Sequence, residues 1–152
     1  MTLLLFEARG TRYGLDITQV VEVVPYVTLR RVAHAPPWLA GVFQHRGMLT
    51  AVVDMSQLLA GEAAPLRFST RIVVATYRAA GGDWRRVGLL VEKATDTVTA
   101  DESALQPRGV EVPDAPYLGR VAPASDGIVQ IVKVEDILPE SVRALLTDDD
   151  AA

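Results

Sequence analysis

The residues that could carry chemistry in this chain are few and scattered. There are two histidines, His34 and His45, and no cysteine. Their spacing fits neither HxxxH nor HExxH, the patterns that place two imidazoles on one helix face for zinc, so no metal site is expected. No serine stands in a GxSxG elbow, and no glycine-rich phosphate loop is present. Asp16, Asp54, Glu92 and Asp96 fall at separate strand ends and do not pair as general acid and base. Gly81-Gly82 reads as a hairpin turn. The doublets Arg30-Arg31 and Arg85-Arg86 are too small for a nucleic-acid footprint and read as solvated strand ends. The net charge of −4 also argues against a phosphate-binding surface. No catalytic residue and no cofactor are expected.

Two charges remain of interest. Glu22 interrupts the apolar run VVEVV at 20–24, and Arg46 stands at a hairpin tip. Each also fits an ordinary role, Glu22 on the solvent side of an edge strand and Arg46 in an exposed turn. His45, beside Arg46, reads as a polar turn residue.

The element that must position Arg46 is the stretch Leu39 to Leu59. A first arm runs to about His45, Arg46-Gly47 turns, and Met48 to Val53 returns. Gly47 supplies the positive φ that a tight hairpin needs. Asp54 can then cap the helical turn MSQLL. Pro36-Pro37 precede the hairpin and cannot join a central ladder. Further strands are read at 3–8, 13–17, 20–24, 29–33, 71–77, 86–92, 94–99, 117–121 and 128–134. A helical turn is read at 101–105, a proline-rich loop at 106–116 and a turn at 125–127. A C-terminal helix at 142–146 and an acidic tail at 148–150 end the reading.

Two segments echo two others. YGLDI at 13–17 matches VGLLV at 87–91, and AVVDMSQLL at 51–59 matches QIVKVEDIL at 130–138. Each pair keeps the same order, at offsets of 74 and 79 residues. This suggests duplication of a small β unit, with a loop at 61–69 between copies. Small closed sheets remove their own edges, so two packed barrels are expected. Their approximate bounds are 1–65 and 66–138 within a single domain of 1–152, with elements free to cross, followed by a C-terminal helix and tail at 139–152. The apolar faces of 13–17 and 87–91 are expected in separate cores. Nearly half of the 152 residues are hydrophobic, enough for a core without disulfides. No signal peptide or membrane-spanning run is read, so a cytoplasmic protein is expected.

The chain resembles the CheW-like coupling proteins of bacterial chemosensory systems over nearly its whole length. The resemblance lies in FEARGTRYGLDI (6–17), VVEVV (20–24), APPWLAGVFQHRG with AVVDM (35–55), VGLLVE (87–92), YLG (117–119) and IVQIVKVEDIL (128–138). It implies a mainly β fold of two packed five-stranded SH3-like barrels with short helices. It also implies a non-enzymatic adaptor with two partners. One is the cytoplasmic tip of a methyl-accepting chemoreceptor, and the other is the regulatory domain of a CheA-type histidine kinase. The place of action would be the cytoplasm, at membrane-associated receptor clusters, with neither nucleic acid nor membrane insertion. The resemblance assigns receptor or kinase interaction to Val20, Glu22, Gly41, Arg46, Gly47 and Gly88, with Glu22 and Arg46 close together by a receptor groove. The chain departs from the family in its turn, Gln44-His45-Arg46-Gly47 in place of Asn-Leu-Arg-Gly, and in Ala51, where proline is common. These departures point toward an alternative pathway, such as a Wsp-type surface-sensing system. The competing expectation is a stand-alone double-barrel module for a small ligand or nucleic acid, which predicts an enclosed pocket with convergent polar groups.

Overall fold

The computed structural model describes residues 1–79, 81–101, 103, 105, 121–124, 127–138 and 146. Its strands are β1 (Thr2–Ala8), β2 (Thr11–Asp16), β3 (Val20–Pro25), β4 (Leu39–His45), β5 (Met48–Asp54), β6 (Thr70–Arg78), β7 (Trp84–Thr99), β8 (Val121–Ala124) and β9 (Gly127–Val132). Two short helices, α1 (Met55–Ala60) and α2 (Val134–Ile137), follow β5 and β9. A 3-10 turn, Ile17–Gln19, separates β2 from β3. The fold is mainly β.

Local chemistry sets the junctions. The Asp54 carboxylate accepts from Gln57 N at 3.1 Å and from Ala64 N at 2.9 Å, so it caps α1 and ties down the loop beyond it. Asp16 caps the 3-10 turn through Thr18 N at 3.0 Å. The start of α2 has no cap from its own neighbour Lys133. Gln19 supplies one from a distance: its side-chain oxygen accepts from Val134 N at 3.1 Å.

The nine strands form one hydrogen-bonded sheet along the path β3-β6-β7-β1-β2-β9-β8, with β5 also pairing β7 and β4 pairing β5. The 16-residue β7 explains this layout. Its first part pairs antiparallel with β6 and, at Gly88 to Leu90, parallel with β5. Its last part pairs with β1. The sheet thus holds two five-stranded groups that share β7: β4-β5-β7-β6-β3 and β8-β9-β2-β1-β7. Neither group is closed by a ladder among the described residues. The nearest approach is at Arg30, which exchanges two backbone hydrogen bonds of 2.9 Å with Val42 on β4. That bridge is all that forms of the strand expected at 29–33, while the strand expected at 94–99 is the continuation of β7.

Elements cross the expected division at 65 in both directions. β1 and β2 join β8 and β9, whereas β6 and the first part of β7 join β3, β4 and β5. The internal repeat is visible in the pairing. Gly14 on β2 sits opposite Ile131 on β9, and Gly88 on β7 sits opposite Val52 on β5, both in parallel register. A Cβ at Gly14 would meet Leu3 Cδ1 at 3.0 Å, and one at Gly88 would meet Ile72 and Val52 Cγ2 atoms at 3.0 Å. The glycine shared by YGLDI and VGLLV therefore sits at a tightly packed crossing in both groups.

The expectation of separate cores for 13–17 and 87–91 fails. Tyr13, Leu15, Val87, Leu89 and Val91 belong to one large buried cluster that also takes Val53, Val73, Val132 and Ile137. Two smaller clusters flank it, one around Leu3 and Ile131, the other around Val52, Ile72, Val74 and Leu90. Successive side chains on a strand point to opposite faces. Leu89 and Val91 therefore face the shared core while Leu90 faces the private one. The expected 106–116 loop, most of the strand at 117–121, the turn at 125–126, all but the last residue of the 142–146 helix and the 148–150 tail lie outside the described residues, as does part of the helical turn at 101–105.

Candidate functional site

The β4–β5 hairpin builds the site from its turn. His45 pairs with Met48, leaving Arg46-Gly47 as a two-residue loop. Arg46 has φ 52° and Gly47 φ 81°. Positive φ at both central residues is the type I′ pattern, whose twist matches that of the flanking strands. At the other end of the hairpin Gly41 has φ 151°, and a Cβ there would fall 2.8 Å from Arg30 O. Only glycine allows the Arg30–Val42 bridge to form beside it.

Arg46 is 70% exposed, and its Nε donates to Glu22 Oε2 at 3.3 Å. Glu22 reaches that point from β3, where the register shifts between Val20 and Glu22. The same oxygen lies 2.6 Å from His45 Nε2. Two donors on one carboxylate oxygen hold the Glu22 carboxyl below its usual value, the His45 hydrogen bond first and that of Arg46 second, while partial burial acts the other way.

His45 is 5% exposed, which corrects its reading as a polar turn residue. Its ring packs against Phe43 with centroids 6.1 Å apart. Its Nδ1 lies 3.2 Å from Arg86 Nη1 on β7. Guanidinium nitrogens only donate, so Nδ1 accepts from Arg86 and Nε2 carries the proton donated to Glu22. His45 is then neutral, and the donors converge on Glu22: Arg86 through His45 from β7, and Arg46 from the hairpin tip. Arg86 is half-buried. Its neighbour Arg85 is also half-buried and donates to Leu146 O at 3.4 Å. Neither is a solvated strand end.

The structure brings Glu22, Arg46 and Gly47 together. It places Gly41 and Gly88 elsewhere, buried, but on one transverse row with Glu22. That row runs Glu22–Val74–Gly88–Val52–Gly41 across β3, β6, β7, β5 and β4. Val20 packs against the shared core. Sequence reasoning missed His45 and Arg86. The signal for His45 was period two: Gly41, Phe43 and His45 share a face, which is buried at Gly41 and His45 and half-buried at Phe43. Around the tip, Val21, Met48 and Leu49 are 41%, 42% and 52% exposed. The site can bind through a cation and an apolar rim; it sets no nucleophile beside a base.

Elsewhere, clefts of about 350 and 410 Å³ lie along β1 and β7, bordered in part by Glu7 and Lys93, which pair at 3.4 Å. Both are open to solvent. Among the described residues no three potential metal ligands gather, and no helix is long and apolar enough to cross a membrane.

Comparison with known proteins gives a consistent result. The family model described as the CheW-like domain matches residues 2–142. The chain is 26% identical over 149 residues to the chemotaxis protein CheW of Bacillus subtilis, covering 96% of this chain and 92% of that protein. It is 24% identical over 145 residues to the chemotaxis protein CheW of Klebsiella aerogenes, covering 94% and 84%. In structure it is similar to the scaffolding protein TtCheW from Thermoanaerobacter tengcongensis, with a TM-score of 0.78 at 22% identity, over 93% of this chain and 89% of that one.

Proposed function

This chain belongs to the CheW-like domain family, and on that premise we propose that it is a non-enzymatic adaptor coupling chemoreceptors to a CheA-type histidine kinase. The observation that carries the reading is the Glu22–Arg46 pair at the tip of a rigid hairpin. An exposed cation beside exposed Val21, Met48 and Leu49 is a surface for a protein partner. The receptor's cytoplasmic tip docks there, and the kinase regulatory domain takes a separate surface. Gly47 fixes the direction of Arg46. Val20, which packs on the shared core, and Gly41 and Gly88, on the strand row of Glu22, support the tip from beneath. The place of action is the cytoplasmic face of membrane-associated receptor clusters.

The test is reconstitution. Added to its cognate kinase and receptor, the protein should change kinase autophosphorylation, and it should bind the receptor tip and the kinase regulatory domain independently. No change in autophosphorylation with any kinase and receptor pair of the same cell would overturn the reading.

A further inference from the structure

We propose that His45 is a specificity-determining residue: by holding Glu22 it leaves Arg46 open to a carboxylate on the partner, so that this chain docks a receptor segment presenting an acidic side chain among apolar ones. The proposal rests on the coupling reading above and names the chemistry of the partner at that same site.

The argument starts from competition for one carboxylate oxygen. Glu22 Oε2 lies 2.6 Å from His45 Nε2 and 3.3 Å from Arg46 Nε. The shorter bond comes from the buried ring, whose tautomer Arg86 fixes through Nδ1 at 3.2 Å. The ring has little freedom to turn away, because it is 5% exposed and packed beside Phe43. Arg46 is left with the longer bond, made through Nε alone. Among the described residues its terminal nitrogens have no partner, and the side chain is 70% exposed.

Charge points the same way. Glu22 carries one negative charge, Arg46 and Arg86 one positive each, and His45 none. The site thus has a surplus positive charge in a chain of net charge −4. A guanidinium with free parallel N–H groups is matched by a carboxylate, which it can take in two hydrogen bonds. Exposed Met48, the cross-strand partner of His45, and exposed Val21, the chain neighbour of Glu22, supply apolar surface beside that bond. An apolar residue of similar size at 45, such as leucine, would remove the donor that occupies Glu22. Glu22 would then turn wholly to Arg46, and the cation would be satisfied within the protein.

The experiment measures affinity for a cognate receptor-tip fragment and for the same fragment with its acidic side chains neutralised. The proteins are wild type, His45→Leu and His45→Gln, each with a melt and with kinase regulatory-domain affinity as control. Nitrogen NMR of the His45 ring in wild type reads the tautomer. We expect His45→Leu to lose about tenfold for the native tip, the scale of one charge-assisted hydrogen bond. Kinase-domain affinity should not change, and the neutralised tip should no longer distinguish the proteins. His45→Gln, which keeps both a donor and an acceptor, should recover part of the loss, and the ring should be the Nε2–H form. Equal affinity of wild type and His45→Leu for the native tip, or an Nδ1–H ring, would overturn the proposal. So would a neutralised tip that still separates the two proteins. Wild type binding no cognate tip would overturn the coupling reading, and with it the partner named here.

Discussion

The two five-stranded groups repeat each other strand for strand, and the repeat extends to some charges. In the first group Glu22 lies opposite Val74 and Arg86 opposite Thr76. In the second, Asp96 lies opposite Leu5 and Arg12 opposite Glu7. Leu5 and Val74 are equivalent, since each faces its group's central glycine, Gly14 or Gly88. An acid and an arginine therefore recur at matching positions. The hairpin ends do not. His45 pairs with Met48 in the first group, and Ala124 pairs with Gly127 in the second. The second group pairs without a histidine at this place, so the histidine is not a demand of the fold. The repeated glycines are tied to the packing, because a Cβ at either would press on side chains of the neighbouring strands at 3.0 Å.

The largest expected effects test what the groups share. Leu15→Ala and Leu89→Ala, both at fully buried positions, should each cost about 2–5 kcal/mol in denaturant melts. Each variant should still unfold in one transition, because both leucines serve one core and β7 runs through both groups. Two separated transitions would show that the groups are independent. Gly14→Ala and Gly88→Ala should each cost about 1–3 kcal/mol by overpacking. A neutral result at one glycine alone would mean that the two crossings are not equivalent.

The next effects test where the groups differ. Arg46→Glu should weaken receptor-tip binding at least tenfold while kinase-domain affinity and melting temperature barely move, since it sets an acid against Glu22 and removes a cation from the interface. Reversing both charges, Glu22→Arg with Arg46→Glu, should not restore binding. An arginine at 22 would face the His45 Nε2–H, donor against donor, with Arg86 behind it. Recovery in the double variant would show that His45 does not hold Glu22. Arg9-Gly10 is a second Arg-Gly turn, in the β1–β2 hairpin, with φ 51° and 84°. Among the described residues Arg9 pairs with exposed Glu62. Arg9→Glu should leave receptor affinity unchanged.

A smaller effect follows from pH. The Glu22 carboxyl is lowered in the folded protein by the bonds from His45 and Arg46. A lowered carboxyl contributes stability that is fully present above its unfolded value and is lost as pH falls through the folded one. Wild type should lose more stability than Glu22→Gln as pH drops below the ordinary value of 4.5. Identical acid limbs would remove Glu22 from the account. Arg9→Ala should have the least effect, within about 1 kcal/mol, as for an exposed ion pair.

What could be read from sequence was what is local or repeated. The Arg46-Gly47 turn, the Asp54 cap and the glycine-centred repeat depend on neighbours a few residues apart, and each is written in residue type. The parallel pairings of β2 with β9 and of β5 with β7 join residues far apart in sequence, and a hydrophobic alternation does not name its partner. The shared core was missed for the same reason: Leu15 and Leu89 show that they are buried, not against what. His45 was legible by strand alternation, but its place beside a turn suggested solvent. The role of Arg86 depends on a ring nitrogen from another strand, and nothing near it in sequence points there.

The crossing of the strands also bears on how the chain is made. The first group lies within one continuous stretch, Val20 to Glu92. The second group is split around it. β1 and β2 leave the ribosome early, but their remaining partners are the end of β7, at 92–99, and β9, at 127–132. At ~5–20 residues per second, the hairpin from Thr2 to Asp16 waits several seconds with both outer edges unpaired while the inserted group is completed. Its exposed edges are then a template for strands of other nascent chains. The Arg-Gly turn, which holds that hairpin together without any later strand, matters most during this interval.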